Sequence, residues 1–261
     1  MGSLIMGMRQ LNLNFPRRRS RRTIFLLPTA LTVGNIFCGF FAIISSMRAD
    51  YDDAAKALGI AIVLDGLDGR LARLANATTE FGLQLDSLAD VISFGLAPAI
   101  LMASWGLVPL GDYGIFTCFV FLICGTMRLA RFNVQTQPLK YFVGMAIPAA
   151  AGVVAAMVHF VQTPVTDPLR SNLLAILMLV LSFLMISRIR YFSLKQLQLG
   201  RGKSHLNVLL LSVLLALISF YSQIVLLVMA CSYAVSGPLA RCFQWLRAHR
   251  RSDAAAEARW S

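Results

Sequence analysis

Between Asp65 and Asp90 the chain reads DGLDGRLARLANATTEFGLQLDSLAD. Four aspartates, Asp65, Asp68, Asp86 and Asp90, stand there in two pairs. Largely apolar sequence flanks them, Leu58 to Leu64 before and Val91 to Ile100 after. A carboxylate at membrane depth costs about 2.5–3.5 kcal/mol even on a lenient insertion scale. Four in one place make sense only if something positive collects them. The stretch is therefore read as a functional site carried by two membrane helices.

The rest of the chain supports the membrane reading. It is 57% hydrophobic and 14% charged, more apolar and less charged than an ordinary soluble domain. The apolar runs are too long for strands, so the fold class is all-α, a polytopic helical membrane protein. About eight transmembrane helices are expected, near 24–46, 54–75, 82–105, 112–131, 143–163, 171–188, 206–221 and 223–245. A turn at Tyr221-Ser222-Gln223 separates the last two. Residues 1–23 form a basic juxtamembrane segment, 24–246 the transmembrane domain and 247–261 a polar tail.

The net charge of +12 raises nucleic acid as a partner, but the basic residues cluster in loops between apolar spans, so none is expected. With the N-terminus in the cytoplasm, the inside holds the Arg17–Arg22 block, Arg70, Arg73, Arg128, Arg131 and the arginines of the C-terminal tail. The outside holds only Arg48, Lys56 and Arg170. This obeys the positive-inside rule and puts both termini in the cytoplasm. Cys38, Cys118, Cys124, Cys231 and Cys242 are scattered without a C-x-x-C pair and read as small apolar side chains. His159, His205 and His249 are far apart and are given no catalytic role.

Helical spacing places Asp65, Asp68, Ala72 and Arg73 on one face, and Gly82, Asp86 and Asp90 on one face of the next helix. The short connection makes the two helices antiparallel neighbours, with the acids facing each other on the cytoplasmic side. Four facing carboxylates need counter-charge. Hard divalent cations with oxygen ligands supply it, and Mg²⁺ or Mn²⁺ suits carboxylate sites that also hold phosphates. Two ions can share such a set. Gly66, Gly69 and Gly82 clear the face for a phosphate ligand, and Arg73 can pair with it. An ion-pair network with Arg70 and Arg73 does not balance, four acids against two bases. A cation or proton transport path is the more serious rival.

The pattern Asp65-x2-Asp68-Gly69-x2-Ala72-Arg73-x8-Gly82-x3-Asp86-x3-Asp90 resembles the signature of the CDP-alcohol phosphatidyltransferases. The resemblance implies a metal-dependent enzyme in which an alcohol hydroxyl displaces CMP from a CDP-linked lipid. It implies two metal ions, bridged by Asp65 and Asp86, with Asp68 on one and Asp90 on the other, and Asp90 as general base. It implies that Gly69, Arg73, Thr79 and Gly82, with Thr29 and Thr32 of the first span, hold the CDP-lipid. Flanking stretches resemble the bacterial phosphatidylserine synthases within that family: Leu27–Gly39, Ser93–Pro98, Arg128–Asn133, Gly144–Ala151 and Ser187–Tyr191. Thr29 departs from that pattern, which has Asn after the proline. CDP-diacylglycerol, L-serine, a homodimer and a bacterial plasma (inner) membrane with a cytoplasmic active site are what this resemblance implies.

The residues themselves allow an amino-acid acceptor. A carboxylate in a membrane pocket calls for arginine, and Arg128 and Arg131 lie three residues apart at the cytoplasmic end of the fourth span. Both also fit as positive-inside anchors. Asn35 and Asn133 are further candidates for serine contact. Glycerol 3-phosphate or inositol phosphate remain as other acceptors within the family.

Overall fold

The computed structural model describes residues 19–74, 79–134, 142–187, 189–191, 221–239 and 241. The first 18 residues, the expected span at 206–221 and the 247–261 tail lie outside them. The chain is helical: α1 (Arg19–Met47), α2 (Tyr51–Leu74), α3 (Glu80–Asp90), a π-helical stretch (Val91–Leu96), α4 (Ala97–Trp105), α5 (Asp112–Val134), α6 (Ile147–Val161) and α7 (Pro168–Ile186). A further helix, α8, runs Tyr221–Leu239. The one departure among the described residues is a two-residue antiparallel pairing of β1 (Phe142–Val143) with β2 (Arg190–Tyr191). It ties the α5–α6 connection to the chain beyond α7. Gly144 follows it at φ +84, where an added Cβ would lie 2.4 Å from the Met185 carbonyl oxygen, so only glycine fits.

Five helical stretches among the described residues are long and apolar enough to cross a membrane: Thr29–Met47, Glu80–Trp105, Asp112–Val134, Pro168–Ile186 and Tyr221–Leu239. The count of eight is thus reached only in part. α2 occupies the expected second span but carries Asp52, Asp53, Lys56, Asp65, Asp68, Arg70 and Arg73. α6 occupies the fifth but has only 15 residues, about 22 Å of helix against a hydrocarbon core of about 30 Å.

Local chemistry sets several boundaries. The Thr79 hydroxyl accepts from the Gly82 amide at 3.0 Å and caps α3. The Asp167 carboxylate caps α7 by accepting from the Leu169 amide at 3.2 Å, with Pro168 in the first turn. Pro98 lacks an N–H and cannot donate to the carbonyl four residues back. There the helix widens, and the Ala97 amide donates to the Ile92 carbonyl, the i→i+5 pattern of a π turn. This turn begins at the residue after Asp90.

α1 is the common wall of the bundle, packing along α2 and also against α3, the π stretch and α4. Its inward stripe is small and polar, with Thr32, Asn35, Gly39 and Ala42 buried, while Val33, Phe37, Phe40 and Phe41 point outward. The core holds Phe94, Leu101, Met102, Trp105, Phe121, Ile147, Met178 and Leu181. Large apolar side chains cover the outside of α5 and α7, among them Phe116, Phe119, Leu173 and Phe183. Such a surface suits lipid.

Candidate active site

Asp65 on α2 and Asp86 and Asp90 on α3 converge. One carboxylate oxygen from each lies within 4.8 Å of the others. Asp65 and Asp86 are half-buried and Asp90 is buried, with its Oδ1 lacking a hydrogen-bond partner. Three carboxylates this close repel one another in a medium that screens poorly. They form a ready oxygen-ligand set for a hard cation.

Asp68 lies one turn along α2 from Asp65 and is 6% exposed. Its carboxylate accepts a hydrogen bond from the Thr32 hydroxyl of α1. The four predicted acids thus divide into a cluster of three and a fourth held by α1. Thr32, expected at the CDP-lipid, stands against Asp68.

Arg128 of α5 is the expected basic residue that comes closest to the cluster. Its guanidinium interacts electrostatically with Asp90 without closing an ion pair, and its Nε is buried without a hydrogen-bond partner. Arg131 and Asn133 are exposed. The Asn133 amide donates to Ser87 Oγ at 2.9 Å, tying the end of α5 to α3. Asn35 is buried, and neither its amide nitrogen nor its amide oxygen has a partner. Gly69 and Thr79 are exposed, Gly82 and Thr29 half-buried. Arg73 lies on α2, and its side chain is outside the described residues.

Several contributors escaped the sequence reading. The Ser93 hydroxyl, in the π turn, donates to the Asn35 carbonyl at 2.9 Å. Gly39 admits that approach, since a Cβ there would lie 2.5 Å from Ser93 Oγ. The run of small inward residues at helical spacing, Asn35, Gly39, Ala42 and Ser46, was the available signal, because small residues let membrane helices approach closely. His159, given no role, pairs Nδ1 with Asp52 Oδ1 at 2.5 Å and Nε2 with Ser222 Oγ at 2.9 Å. Lys56 completes this group at 2.7 Å from Asp52. It joins α2, α6 and α8 at the end of the bundle away from the carboxylates.

Similarity to known proteins agrees with this geometry. Residues 25–186 match the CDP-alcohol phosphatidyltransferase family. The chain is 37% identical over 165 residues to the CDP-diacylglycerol–serine O-phosphatidyltransferase of Bacillus subtilis, covering 63% of this chain and 89% of that protein. It is 32% identical over 249 residues to the protein of the same name from Mycobacterium leprae, covering 89% and 81%. It is also 37% identical over 167 residues to the archaetidylserine synthase of Methanothermobacter thermautotrophicus, covering 63% and 69%. With its paired aspartates brought together inside a helical membrane bundle, the chain belongs to the CDP-alcohol phosphatidyltransferase family.

Proposed function

We propose that this protein is a phosphatidylserine synthase, transferring the phosphatidyl group of CDP-diacylglycerol to the hydroxyl of L-serine with release of CMP. The convergence of Asp65, Asp86 and Asp90 carries the chemistry. The acceptor rests on the relatives' names: the bacterial and archaeal proteins are named for different lipids, yet serine is common to both. Arg128 beside the cluster suits serine's carboxylate.

The donor set fits divalent metal. Hard carboxylate oxygens lie within 4.8 Å of one another, and one buried oxygen of Asp90 has no other partner. Asp65, Asp68, Asp86 and Asp90 would hold Mg²⁺ or Mn²⁺, two ions by the family resemblance. When bound, such ions neutralise phosphate charge and stabilise the leaving group.

The remaining steps belong to side chains. Asp90 takes the proton from the serine hydroxyl. The freed oxygen attacks the lipid-linked phosphorus, and the bond to the CMP oxygen breaks. Arg73, with Gly69, Thr79, Gly82 and Thr29, is assigned to the CDP-lipid by resemblance. Thr32 orients Asp68 through the hydrogen bond it donates. Arg128 holds the acceptor, with buried Asn35 as a further candidate; exposed Arg131 and Asn133 fit the pocket less well.

The same reading has eight spans, both termini in the cytoplasm and the catalytic unit within 24–246, as a homodimer in a bacterial plasma membrane. The distribution of basic residues supports the orientation.

The test is CMP release by the purified protein in detergent. It receives CDP-diacylglycerol, Mg²⁺ or Mn²⁺ after chelation, and serine, glycerol 3-phosphate or inositol phosphate. Release with serine alone is expected. Release with another acceptor keeps the chemistry and replaces the substrate. Metal-sensitive cation flux in vesicles with no CMP release would make the protein a transporter.

A further inference from the structure

α8 packs on the bundle through a stripe of small residues interrupted by one large polar side chain. Ala230, Tyr233 and Ala234 pack against the core, and Gly237 is buried on the same face. Ile224, Val228, Val235 and Leu239 point outward. A tyrosine on an inward membrane-helix face needs a partner for its hydroxyl. The residue it meets electrostatically is Arg128. Arg128 thus stands between Asp90 of α3 and Tyr233 of α8, with its Nε buried and unpartnered. Asp90 is already one of three clustered carboxylates, so the guanidinium keeps donor capacity for a further anionic group. α8 is anchored as well as packed. Ser222, eleven residues before Tyr233 and about 16 Å away along the helix, is hydrogen-bonded to His159 at 2.9 Å.

We propose that α8 forms the acceptor-side wall of the active site, and that Tyr233 is a positioning residue holding Arg128 toward the carboxylate of the amino-acid acceptor. This rests on the serine reading above and adds the residue that sets how tightly that acceptor is held. The planar guanidinium grips a carboxylate in a paired geometry only while its plane is fixed. Asp90 on one side and the Tyr233 ring on the other would fix it.

The experiment is steady-state kinetics of the full chain in detergent, comparing wild type, Tyr233→Phe, Arg128→Lys and the double variant. Tyr233→Phe keeps the ring and its packing, and a thermal midpoint within about 2 °C of wild type checks that the bundle is intact. The expected result is a KM for serine raised about 5–10-fold, with the KM for CDP-diacylglycerol and kcat within about twofold of wild type. In the Arg128→Lys background the same change should have little further effect, because the group it positions is gone. An unaltered serine KM in Tyr233→Phe, or equal rises in both KM values, would overturn the assignment while leaving the serine reading intact. Absence of serine-dependent CMP release from the wild type would refute the serine reading, and this inference with it.

Discussion

Replacing Gly39 by alanine should damage both stability and turnover, although glycine to alanine ordinarily strengthens a helix. A Cβ at Gly39 would lie 2.5 Å from Ser93 Oγ, 2.7 Å from Ser93 Cα and 3.0 Å from Ser93 Cβ. The hydroxyl could rotate away, but the Cα is backbone and cannot. Ordinary carbon–carbon contact is about 3.5–4.0 Å, so α1 and the π stretch must part by roughly 1 Å. That separation breaks the Ser93 bond to the Asn35 carbonyl, now 2.9 Å, and leaves a buried hydroxyl unsatisfied. Overpacking costs about 1–3 kcal/mol and the lost bond about 1 kcal/mol more. A thermal midpoint lowered by roughly 5–15 °C follows. Ser93 is less than one helical turn from Asp90, so the displacement reaches the proposed base. A misplacement of about 1 Å can cost on the order of 100-fold in rate. Thermal unfolding and CMP release, both in one detergent, measure the two effects. Gly59→Ala is the control, since a Cβ there meets nothing within 4 Å and should be neutral or stabilising by up to about 1 kcal/mol. If Gly39→Ala behaved like Gly59→Ala, the close packing of α1 on the π turn would be refuted.

Other substitutions separate the groups by role. Asp90→Asn should lower CMP release at least about 100-fold while CDP-lipid still binds, measured by equilibrium binding; a near-normal rate would remove Asp90 as the base. Thr32→Val deletes the donor to Asp68 and should raise the metal concentration for half-maximal activity about 10-fold. Unchanged metal dependence would show that Asp68 needs no support from α1. His159→Leu unties Asp52 from Ser222 and should cost roughly 1–3 kcal/mol, read as a lower thermal midpoint, with the KM for CDP-diacylglycerol unchanged. A large fall in kcat with an unchanged midpoint would instead give this group a part in catalysis.

The acids of the site were legible because helices impose a period. Asp65 and Asp68, and Asp86 and Asp90, each sit a turn apart, and apolar flanks announce the helices that carry them. The positions of α1 to α7 followed from hydropathy for the same reason. Contacts between residues distant in sequence were not legible. Nothing local to Thr32 shows that it meets Asp68, or that His159 joins Asp52 to Ser222. The π turn left a trace in Pro98, but a proline in a helical run signals a missing donor, not which rearrangement absorbs it. The exposure of Arg131 beside the more buried Arg128 was equally hidden. Both sit at the end of α5, and only packing against α3 and α8 decides which guanidinium turns inward.

The signature residues all lie on α2 and α3 or the link between them, yet these two helices do not make the site alone. Repulsion among Asp65, Asp86 and Asp90 pushes the helices apart wherever a cation is lacking. Something must hold the carboxylates at ligand distance beforehand, or the binding energy of metal would be spent on assembling the bundle. α1 answers this need. It packs along α2 and against α3, donates from Thr32 to Asp68 and accepts at the Asn35 carbonyl from Ser93 beside Asp90. Those two bonds fix one point on each acid-bearing segment against a single rigid rod, 32 and 35 being a turn apart on one face. The acids therefore reach their mutual distance through α1. For this reason the signature aspartates transplanted to another helical hairpin would lack the wall that keeps them together.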